Sequence, residues 1–273
     1  MTILINRLKK LIKARYYYSI PKKSKILFFD GNNIEIVKKQ FKKNDYEILN
    51  VRGEKLNMNI ILKMLLNFKF SLKYYIYLYI KAVKPKIVIT FTDNSIFFYQ
   101  FKKFFPKIKF IAIQNGYRRK NIDVFEKLKK IRNPKKKLQA DHIFTFGQST
   151  SLEYSKYIDA KNIVLGSFRN NLVPTSKIFN NNKNILFISQ FKKIDINRPD
   201  YYCTERKLLP IVANFCQINN LSLSILGTQF DDVDERRYFN EILSKFKFNF
   251  IKKKSPLSNY KIVDKFSLIV FID

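Results

Sequence analysis

The 273-residue chain has only six glycines and two cysteines, one histidine and no tryptophan. A single histidine, His142, excludes a metal site built from several histidines, and its place at the start of an apolar run favours a structural role. Cys203 and Cys216 form no metal-type pair, and nothing in the sequence favours a disulfide between them. We therefore expect a protein of a reducing compartment, the cytoplasm, without a metal site.

Acidic residues are also scarce, since 21 Asp and Glu stand against 53 Lys and Arg, a net charge of +32. Such a charge first indicates nucleic acid or an anionic membrane as the partner. Lys, Asn, Ile, Phe and Tyr have codons that begin with two A/T bases, so an A/T-rich genome would produce the same bias. We therefore expect no specific nucleic-acid partner, and a basic nucleic-acid-binding protein stays as an alternative that lacks a recognised binding motif.

No uninterrupted apolar run is long enough to cross a membrane, because lysines break the longest apolar zone, residues 56–83. Residues 1–25 carry eight Lys or Arg and no acid, and "ILINRLKKLIKA" alternates apolar and basic residues at helical spacing. The segment lacks the apolar core and cleavage site of a signal peptide. It predicts a basic amphipathic helix on the anionic inner leaflet, peripheral to the inner membrane. The alternative is a helix packed on its own protein.

Short apolar runs alternate with helical stretches along most of the chain, which is typical of βαβ units and parallel sheets. Predicted strands are 25–29, 47–51, 86–91, 108–113, 142–146, 162–165, 185–190, 221–226, 247–251 and 267–272, and predicted helices are 33–43, 56–83, 95–104, 148–158, 204–218 and 234–246. Residues 171–184 lose this periodicity and form a predicted linker. The fold class is therefore α/β with two Rossmann-like lobes, 26–170 and 185–273, separated by a cleft and preceded by the basic segment 1–25.

Every glycine of the chain lies at or just past the end of a predicted strand: Gly31, Gly53, Gly116, Gly147, Gly166 and Gly227. In open parallel sheets, ligands bind at the carboxyl edge, where the loops converge. Glycine permits left-handed turns and a close approach of the backbone to a ligand. The alternative for any single glycine is a tight turn, but together they predict a binding edge.

Polar residues gather at the same edge. Thr92-Asp93-Asn94-Ser95 follows one strand, and Gln114-Asn115-Gly116-Tyr117-Arg118 follows the next. Asp93 is a candidate general base, with the N-cap of the next helix as the alternative. Arg118 and Arg169 are candidates for binding phosphate or carboxylate, or else are simply solvated.

The chain lacks GxGxxG, GxxxxGK[ST] and GxSxG. Ordinary dinucleotide binding, P-loop phosphoryl transfer and hydrolase chemistry are therefore disfavoured. A two-lobed protein without these motifs favours a transferase that uses nucleotide sugars, since helix ends and side chains can hold a diphosphate.

Four stretches in this order resemble bacterial surface carbohydrate biosynthesis proteins, GT-B-like glycosyltransferases of capsule and lipopolysaccharide gene clusters: "YEILNVRGEKLNMNIIL", "KPKIVITFTDNSIFFYQFKKFFPKIKFIAIQNGYR", "ADHIFTFGQS" and "IVLGSFRNN". The resemblance covers most of residues 26–200. It implies a GT-B-like fold, a glycan or lipid-linked glycan acceptor on the first lobe and an activated nucleotide sugar on the second, with no permanently bound cofactor.

The site expected from this resemblance uses the residues at the strand ends. Acceptor-side candidates are Asp30, Gly31, Asn94, Gln114, Asn115, Gly116, Arg118 and Gly147, with Asp93 as the catalytic candidate. Donor-side candidates are Ser167, Arg169, Ser189, Gln190, Gly227 and Asp273.

The sequence departs from the family pattern at its end. Family members continue past the strand that matches "LIVFID" into a loop and helix that help to bind donor phosphates, whereas this chain stops at Asp273. The expectation is an incomplete second lobe and an inactive fragment or truncated copy. A CDP-glycerol-type polyol-phosphate transferase, which has the same two-lobe design, is the second candidate function.

Overall fold

The computed structural model describes residues 14–37, 40–52, 55–118, 124–131, 137–173, 183–191, 203–255, 257–263 and 265–271. The chain divides into two compact units, Met1–Phe168 and Arg169–Asp273. No helix in the described ranges is long and apolar enough to span a bilayer.

The described residues form twelve strands: β1 (Arg15–Tyr17), β2 (Ile26–Phe29), β3 (Tyr46–Leu49), β4 (Lys55–Asn57), β5 (Ile87–Thr90), β6 (Lys109–Ile113), β7 (Leu138–Thr145), β8 (Ile158–Val164), β9 (Asn184–Ile188), β10 (Ser222–Leu226), β11 (Asn249–Ile251) and β12 (Leu268–Val270). The same ranges contain nine α-helices: α1 (Met58–Leu66), α2 (Leu72–Val83), α3 (Ile96–Tyr99), α4 (Val124–Ile131), α5 (Gln148–Ser155), α6 (Phe168–Asn171), α7 (Cys203–Ile218), α8 (Val233–Ile242) and α9 (Ser258–Val263). Two short 3₁₀ turns, Ile34–Ile36 and Lys102–Phe104, complete the described elements.

The first unit contains a six-stranded sheet in the order β3-β2-β5-β6-β7-β8, and every pairing in it is parallel. The strand order reverses between β2 and β5, so these two strands flank the topological switch point, where ligands bind in open α/β sheets. Strand residues are buried on both faces by aliphatic and aromatic side chains, among them Phe29, Val88, Phe110 and Ile143. This burial explains the apolar runs in the sequence.

The second unit contains a four-stranded parallel sheet in the order β11-β10-β9-β12, and its switch point lies between β9 and β12. Its core packs α7 and α8 against the strands through residues such as Phe187, Leu209, Ile225 and Phe239. The predicted α/β class with two Rossmann-like lobes is confirmed, since both units carry parallel sheets with crossover helices.

Three helices differ from the prediction, and one of them, expected over 95–104, is the short helix Ile96–Tyr99 followed by the 3₁₀ turn Lys102–Phe104. The single helix expected over residues 56–83 is two helices, because the chain turns between Leu66 and Leu72, with Phe68 at φ 51°. Asn57 and Ser71 accept hydrogen bonds from backbone N–H groups of the first turns, which defines the start of each helix. The helix expected over 33–43 is, in the described residues, the 3₁₀ turn Ile34–Ile36, preceded by Asn33 at φ 62°.

A two-stranded parallel sheet, β1 with β4, was not predicted from the sequence. Each of its strands has only three residues, too few for a period-2 pattern to stand out. Asn57 Nδ2 donates to the Ser19 carbonyl at 2.6 Å and connects the segment after β1 to the end of β4.

Candidate functional site

The described glycines all follow the carboxyl ends of parallel strands: Gly31 after β2, Gly116 after β6, Gly147 after β7, Gly166 after β8 and Gly227 after β10. Gly53 and Asp273 lie outside the described residues. In the first unit, the polar residues that follow β2, β5, β6 and β7 therefore share one edge of the sheet. Hydrogen bonds connect them from strand to strand.

Asp93, which follows β5, lies at the centre of this edge and is fully buried. Its carboxylate accepts from the Asn115 backbone N–H at 3.1 Å, from Arg118 Nε at 2.8 Å and from the Tyr154 hydroxyl at 2.6 Å. Arg118 Nη2 donates to the other carboxylate oxygen, so the guanidinium contacts the carboxylate through two nitrogens. The Arg118 side chain is only 7% exposed.

This geometry matches neither role considered for Asp93. The residue before α3 is Ser95, so Asp93 is not its N-cap. Its carboxylate is enclosed by four donors, which leaves no access for a proton from a bound substrate. We assign Asp93 a positioning role, because it fixes Arg118 and the loop after β6. The same pairing removes Arg118 as a freely available cation for an anionic ligand.

Two tyrosines complete the environment of Asp93. The Tyr99 hydroxyl donates to the Asp93 carbonyl at 2.7 Å, and Tyr154 reaches the carboxylate from α5. Burial, with the nearby Asp93 charge, raises the pKa of both hydroxyls well above the usual value, so both remain protonated donors. The sequence did not indicate this cluster, because Tyr154 lies 61 residues from Asp93 and buried tyrosines carry no recognisable spacing.

Gln114 connects two neighbouring loops by hydrogen bonds, and its amide is not available to a ligand. Its Nε2 donates to the Gly116 carbonyl at 2.8 Å, and its Oε1 accepts from the Phe146 backbone N–H at 2.7 Å. The side chain is buried, so both ends of the amide are used within the protein. Its contribution is to hold the loops after β6 and β7 beside each other.

In the described part of the loop after β6, the accessible groups are Asn115, Gly116 and Tyr117. Asn115 is half-buried, and its Oδ1 accepts from Arg118 Nη2 at 2.6 Å, whereas its Nδ2 has no partner among the described residues. Tyr117 is 71% exposed. Among the described residues, a Cβ atom at Gly116 would find only Arg118 Nη1 within 4 Å, so these residues leave space in front of this backbone. Asn94, after β5, is also half-buried.

The next loop along the edge begins a helix. Gly147 is the N-cap residue of α5, and no atom of the described residues lies within 4 Å of a Cβ atom built there. Gln148 and Ser149, in the first turn, are exposed. Since the N–H groups of a first helical turn have no intrahelical partner, this end can donate to an approaching oxygen.

Asp30 lies at the switch point between β2 and β5. Its backbone has φ 74°, and its buried carboxylate accepts from Arg52 Nε at 2.8 Å and from the Thr92 hydroxyl at 3.3 Å. A Cβ atom at Gly31 would approach Asn50 Oδ1 and Ile48 Cγ2 to 3.3 Å. Asp30 therefore holds an exposed arginine at this edge. Asp30 was predicted from the sequence, whereas Arg52 was not.

In the second unit the loops after β9 and β10 are organised by buried carboxylates that the sequence analysis missed. Ser189 is fully buried and donates to Glu235 Oε1 at 2.5 Å. Glu235 also accepts from the backbone N–H groups of Thr228 and Gln229 at 3.0 and 3.1 Å. The Ser189 hydroxyl is therefore used within the protein, and Gln190 is the exposed residue of this loop.

Glu205, on α7, lies beside the same loop. The Tyr238 hydroxyl donates to its carboxylate at 3.1 Å, and the Gln190 backbone N–H donates to it at 3.5 Å. Burial raises the pKa of Glu205, and the nearby Glu235 charge raises it further. Ser167 and Arg169, the other donor-side candidates, are half-buried, and both make contacts within the protein.

Gly227 is required by packing. A Cβ atom there would lie 2.7 Å from Phe250 Cζ and 3.1 Å from Glu235 Oε2. Gly227→Ala should lower the free energy of unfolding by about 1–3 kcal/mol, the usual cost of overpacking a core. Urea unfolding measures this loss, and Gly116→Ala, whose Cβ meets nothing closer than 4.0 Å, is the matched control. Equal stability of the two variants would contradict the packing role.

No group of three or more His, Cys, Asp or Glu in the described part of the chain is placed to hold a metal ion. His142 is half-buried within β7 and stacks on Phe144, which lies on the same face of the strand. The candidate site of the first unit thus consists of hydrogen-bonding groups, an open glycine backbone and an exposed aromatic ring. This chemistry suits a ligand rich in hydroxyl groups.

Comparison with known proteins identifies a family. A family model described as "putative O-antigen biosynthesis protein" matches residues 111–273, more than half of the chain. The match includes the Gln114–Gly116 loop and the whole second unit and leaves out Asp30 and Asp93. No curated protein matches the chain.

Three solved structures are similar to the chain at low identity. They are UDP-GlcNAc 2-epimerase from Methanocaldococcus jannaschii (11% identity, 90% of this chain and 77% of that chain, TM-score 0.47), the Glycosylation Associate Protein (Gap123) complex from Streptococcus agalactiae (14%, 74% and 41%, 0.36) and the lipopolysaccharide outer core galactosyltransferase WaaB in its apo form (12%, 88% and 70%, 0.41). At TM-scores below 0.5, these likenesses assign no activity.

Proposed function

Because the chain belongs to the O-antigen biosynthesis protein family, we propose that it is a glycosyltransferase of bacterial surface polysaccharide synthesis. In this proposal it transfers a sugar from a nucleotide-activated donor to a glycan or lipid-linked glycan acceptor. The observation that carries the proposal is the hydrogen-bonded row of polar residues along one carboxyl edge of the first unit's parallel sheet. That edge is the ligand edge of such sheets.

Asn115, Gly116 and Tyr117 are the groups proposed to contact the acceptor or the transferred sugar. The Nδ2 of Asn115, which has no partner among the described residues, donates to a sugar hydroxyl, and Gly116 allows the ring to approach the backbone. Tyr117 offers an exposed aromatic face to the ring. Asp93, Arg118 and Gln114 hold these groups in place and stay out of contact with the ligand.

On the donor side, the proposal relies on the loop after β9 at the switch point of the second sheet. Gln190 is exposed there, while Ser189 and Glu235 hold the backbone of this loop and of the loop after β10. Nucleotide-sugar binding is proposed as transient, with no cofactor retained between turnovers.

The experiment is a binding and turnover screen. UDP, CDP, GDP and dTDP are tested for an increase in melting temperature, since a ligand that binds only the folded state stabilises it. Nucleotide sugars that carry the stabilising nucleotide are then incubated with a lipid-linked glycan acceptor, and release of the nucleoside diphosphate is measured. Stabilisation by one nucleotide and release that depends on the acceptor are the expected results. Transfer of a polyol phosphate from CDP-glycerol would favour the second candidate, and the absence of both activities would contradict the proposal.

We also propose that residues 1–25 contribute to binding at an anionic membrane. The predicted amphipathic helix lies largely outside the described residues, which begin at Ala14, and β1 is engaged with β4. Deletion of residues 1–13 removes four Lys or Arg and leaves β1 intact. At about 1 kcal/mol for each basic residue near the surface, affinity for anionic vesicles should fall about a hundredfold or more at low salt. Vesicle co-sedimentation measures it, and an unchanged affinity would show that the segment packs on the protein instead.

A further inference from the structure

The connection between α1 and α2 carries a surface patch that the proposed sugar transfer does not use. Its apolar side chains are unusually exposed: Leu66 is 79%, Phe68 86% and Phe70 68% exposed. Leu62, Leu65 and Leu72 are also exposed and continue the patch onto the two helices. Scattered exposed apolar residues are normal, but a contiguous set at one turn marks an interaction surface. We refer to residues 62–74 as the hairpin patch.

The conformation of the hairpin is fixed by its own hydrogen bonds. The Phe68 N–H donates to the Leu65 carbonyl at 3.0 Å, and the Lys69 N–H donates to the Met64 carbonyl at 3.2 Å. Ser71 caps α2 by accepting from the Tyr74 N–H at 3.1 Å. Phe68 stands in the left-handed region at φ 51°, where a bulky residue is rarely found. The backbone therefore presents the phenyl ring to the outside in a defined conformation.

The charge of this region has one sign. From Lys55 to Thr92 the sequence has seven lysines and no acidic residue, and three of these lysines, Lys63, Lys69 and Lys73, belong to the hairpin patch. Lys69 Nζ lies 5.5 Å from the Tyr74 ring centre, and Lys73 Nζ lies 5.3 Å from that of Phe104. Ammonium groups beside aromatic rings, next to exposed leucine and phenylalanine, suit a boundary between anionic head groups and acyl chains.

A groove of about 620 Å³ lies beside the turn and is lined by Lys69, Phe70, Lys73, Tyr74, Tyr77 and Phe104. Its walls are aromatic, and both lysines contribute to the lining. One lining residue is held by ring stacking, since Tyr77 stacks on Phe105 with ring centres 5.2 Å apart. A lipid phosphate at the lysines and an acyl chain along the rings would meet complementary chemistry on the same surface.

We propose that the hairpin patch inserts into the head-group region of an anionic lipid bilayer, with Phe68 and Phe70 in the apolar layer and Lys69 and Lys73 at the lipid phosphates. The combination of exposed rings and exclusively positive charge favours a bilayer over a protein partner, whose binding surface would need matching shape as well as charge. The proposal does not depend on sugar transfer, and it concerns residues other than the basic segment 1–25.

The absence of tryptophan from the chain allows a direct test. Phe68→Trp introduces the sole indole at the tip of the patch. With vesicles containing phosphatidylglycerol, its emission should shift to shorter wavelength, and lipids with quenchers near the head group should quench it. Vesicles of phosphatidylcholine alone should give a much smaller shift. Unchanged emission under conditions where the protein binds vesicles would overturn the proposal.

Substitutions separate the apolar and the ionic contributions of the hairpin patch to vesicle binding. Phe68→Asn with Phe70→Ser removes the rings, and Asn tolerates the left-handed backbone at position 68. Vesicle affinity should fall by about tenfold or more, given the free energy of burying even one phenylalanine. Lys69→Gln with Lys73→Gln should lower it by more than tenfold at low salt, about fivefold for each lysine, and by less at high salt.

The control variants remove the same kinds of exposed side chain at positions outside the hairpin patch. Ile211→Ser with Phe215→Ser removes exposed apolar residues from α7, and Lys245→Gln with Lys247→Gln removes two exposed lysines. Both controls should bind vesicles like the parent protein, and losses equal to those of the hairpin variants would overturn the proposal. If the emission of Phe68→Trp is already shifted to shorter wavelength without vesicles, the proposal is also overturned. In that case the hairpin patch is covered by residues 1–13 or by a second copy of the chain. Deletion of residues 1–13 and dilution of the protein distinguish these two.

Discussion

Asp93→Asn should strongly destabilise the first unit. The substitution preserves the volume of the side chain but removes the charge that faces Arg118, whose side chain is 7% exposed. Breaking a buried ion pair from one side costs about 3–5 kcal/mol, because the remaining charge stays buried and loses the attraction of its partner. Whole domains are stable by only about 5–15 kcal/mol, so this loss is large.

Hydrogen exchange followed by mass spectrometry is the appropriate measurement, because two units need not unfold together. Peptides of β5, β6 and α5 should lose protection, while peptides of the second unit should not. Asp159→Asn, on the exposed side of β8, is the matched control and should leave exchange unchanged. Arg118→Met added to Asp93→Asn should restore part of the protection, since the double variant no longer buries a cation that has lost the Asp93 charge.

The same variant decides between two roles for Asp93. A general base would be dispensable for folding and indispensable for turnover, whereas the positioning role predicts a loss of stability. If the Asp93→Asn protein is stable and normally protected from exchange but has no turnover, our assignment is contradicted. Asp93 would then be a general base.

Asn115→Ala should lower the turnover of sugar transfer by about a hundredfold, the loss expected when a positioned polar group is removed from a site. The variant keeps the Asn115 backbone N–H that binds Asp93 and removes the free Nδ2. It also removes the acceptor for Arg118 Nη2, which should cost about 1–3 kcal/mol of stability.

The two effects are separable. Turnover is measured as nucleoside diphosphate release at a temperature well below the unfolding midpoint of the variant, so that the folded fraction stays close to one. Gly116→Ala, which has space for the added methyl group, tests whether close approach to the backbone also matters. Normal turnover of Asn115→Ala, or a loss that only follows the unfolded fraction, would remove the support for a ligand at this loop.

The sequence was sufficient to predict the α/β class and the approximate positions of ten strands. Buried parallel strands consist of short apolar runs, and such a run is recognisable from neighbouring residues in the sequence alone. It also placed the polar loops at one edge of the sheet, since the carboxyl ends of parallel strands share an edge whatever the details of packing. The order of the strands alone therefore predicted that Gln114, Asn115 and Gly116 lie at this edge.

Only the tertiary structure decided what each of these side chains does. Asp93 and Arg118 lie 25 residues apart, and Tyr154 lies 61 residues from Asp93, so no spacing rule connects them. Whether a carboxylate is a base or an ion-pair partner depends on burial and on the donors around it, and both arise from long-range packing. Ser189 and Glu235, 46 residues apart, illustrate the same point in the second unit.

The glycines and the hairpin show the same division between sequence and structure. The sequence placed Gly116 and Gly227 identically, each just past a strand. A Cβ atom at Gly116 meets no described atom closer than 4.0 Å, whereas one at Gly227 would lie 2.7 Å from Phe250. The apolar zone 56–83 predicted a buried helix, because composition does not reveal which side of a helix is covered. A turn at Phe68 exposes part of that zone, and only the positions of neighbouring elements determine whether an apolar side chain is buried or meets the solvent.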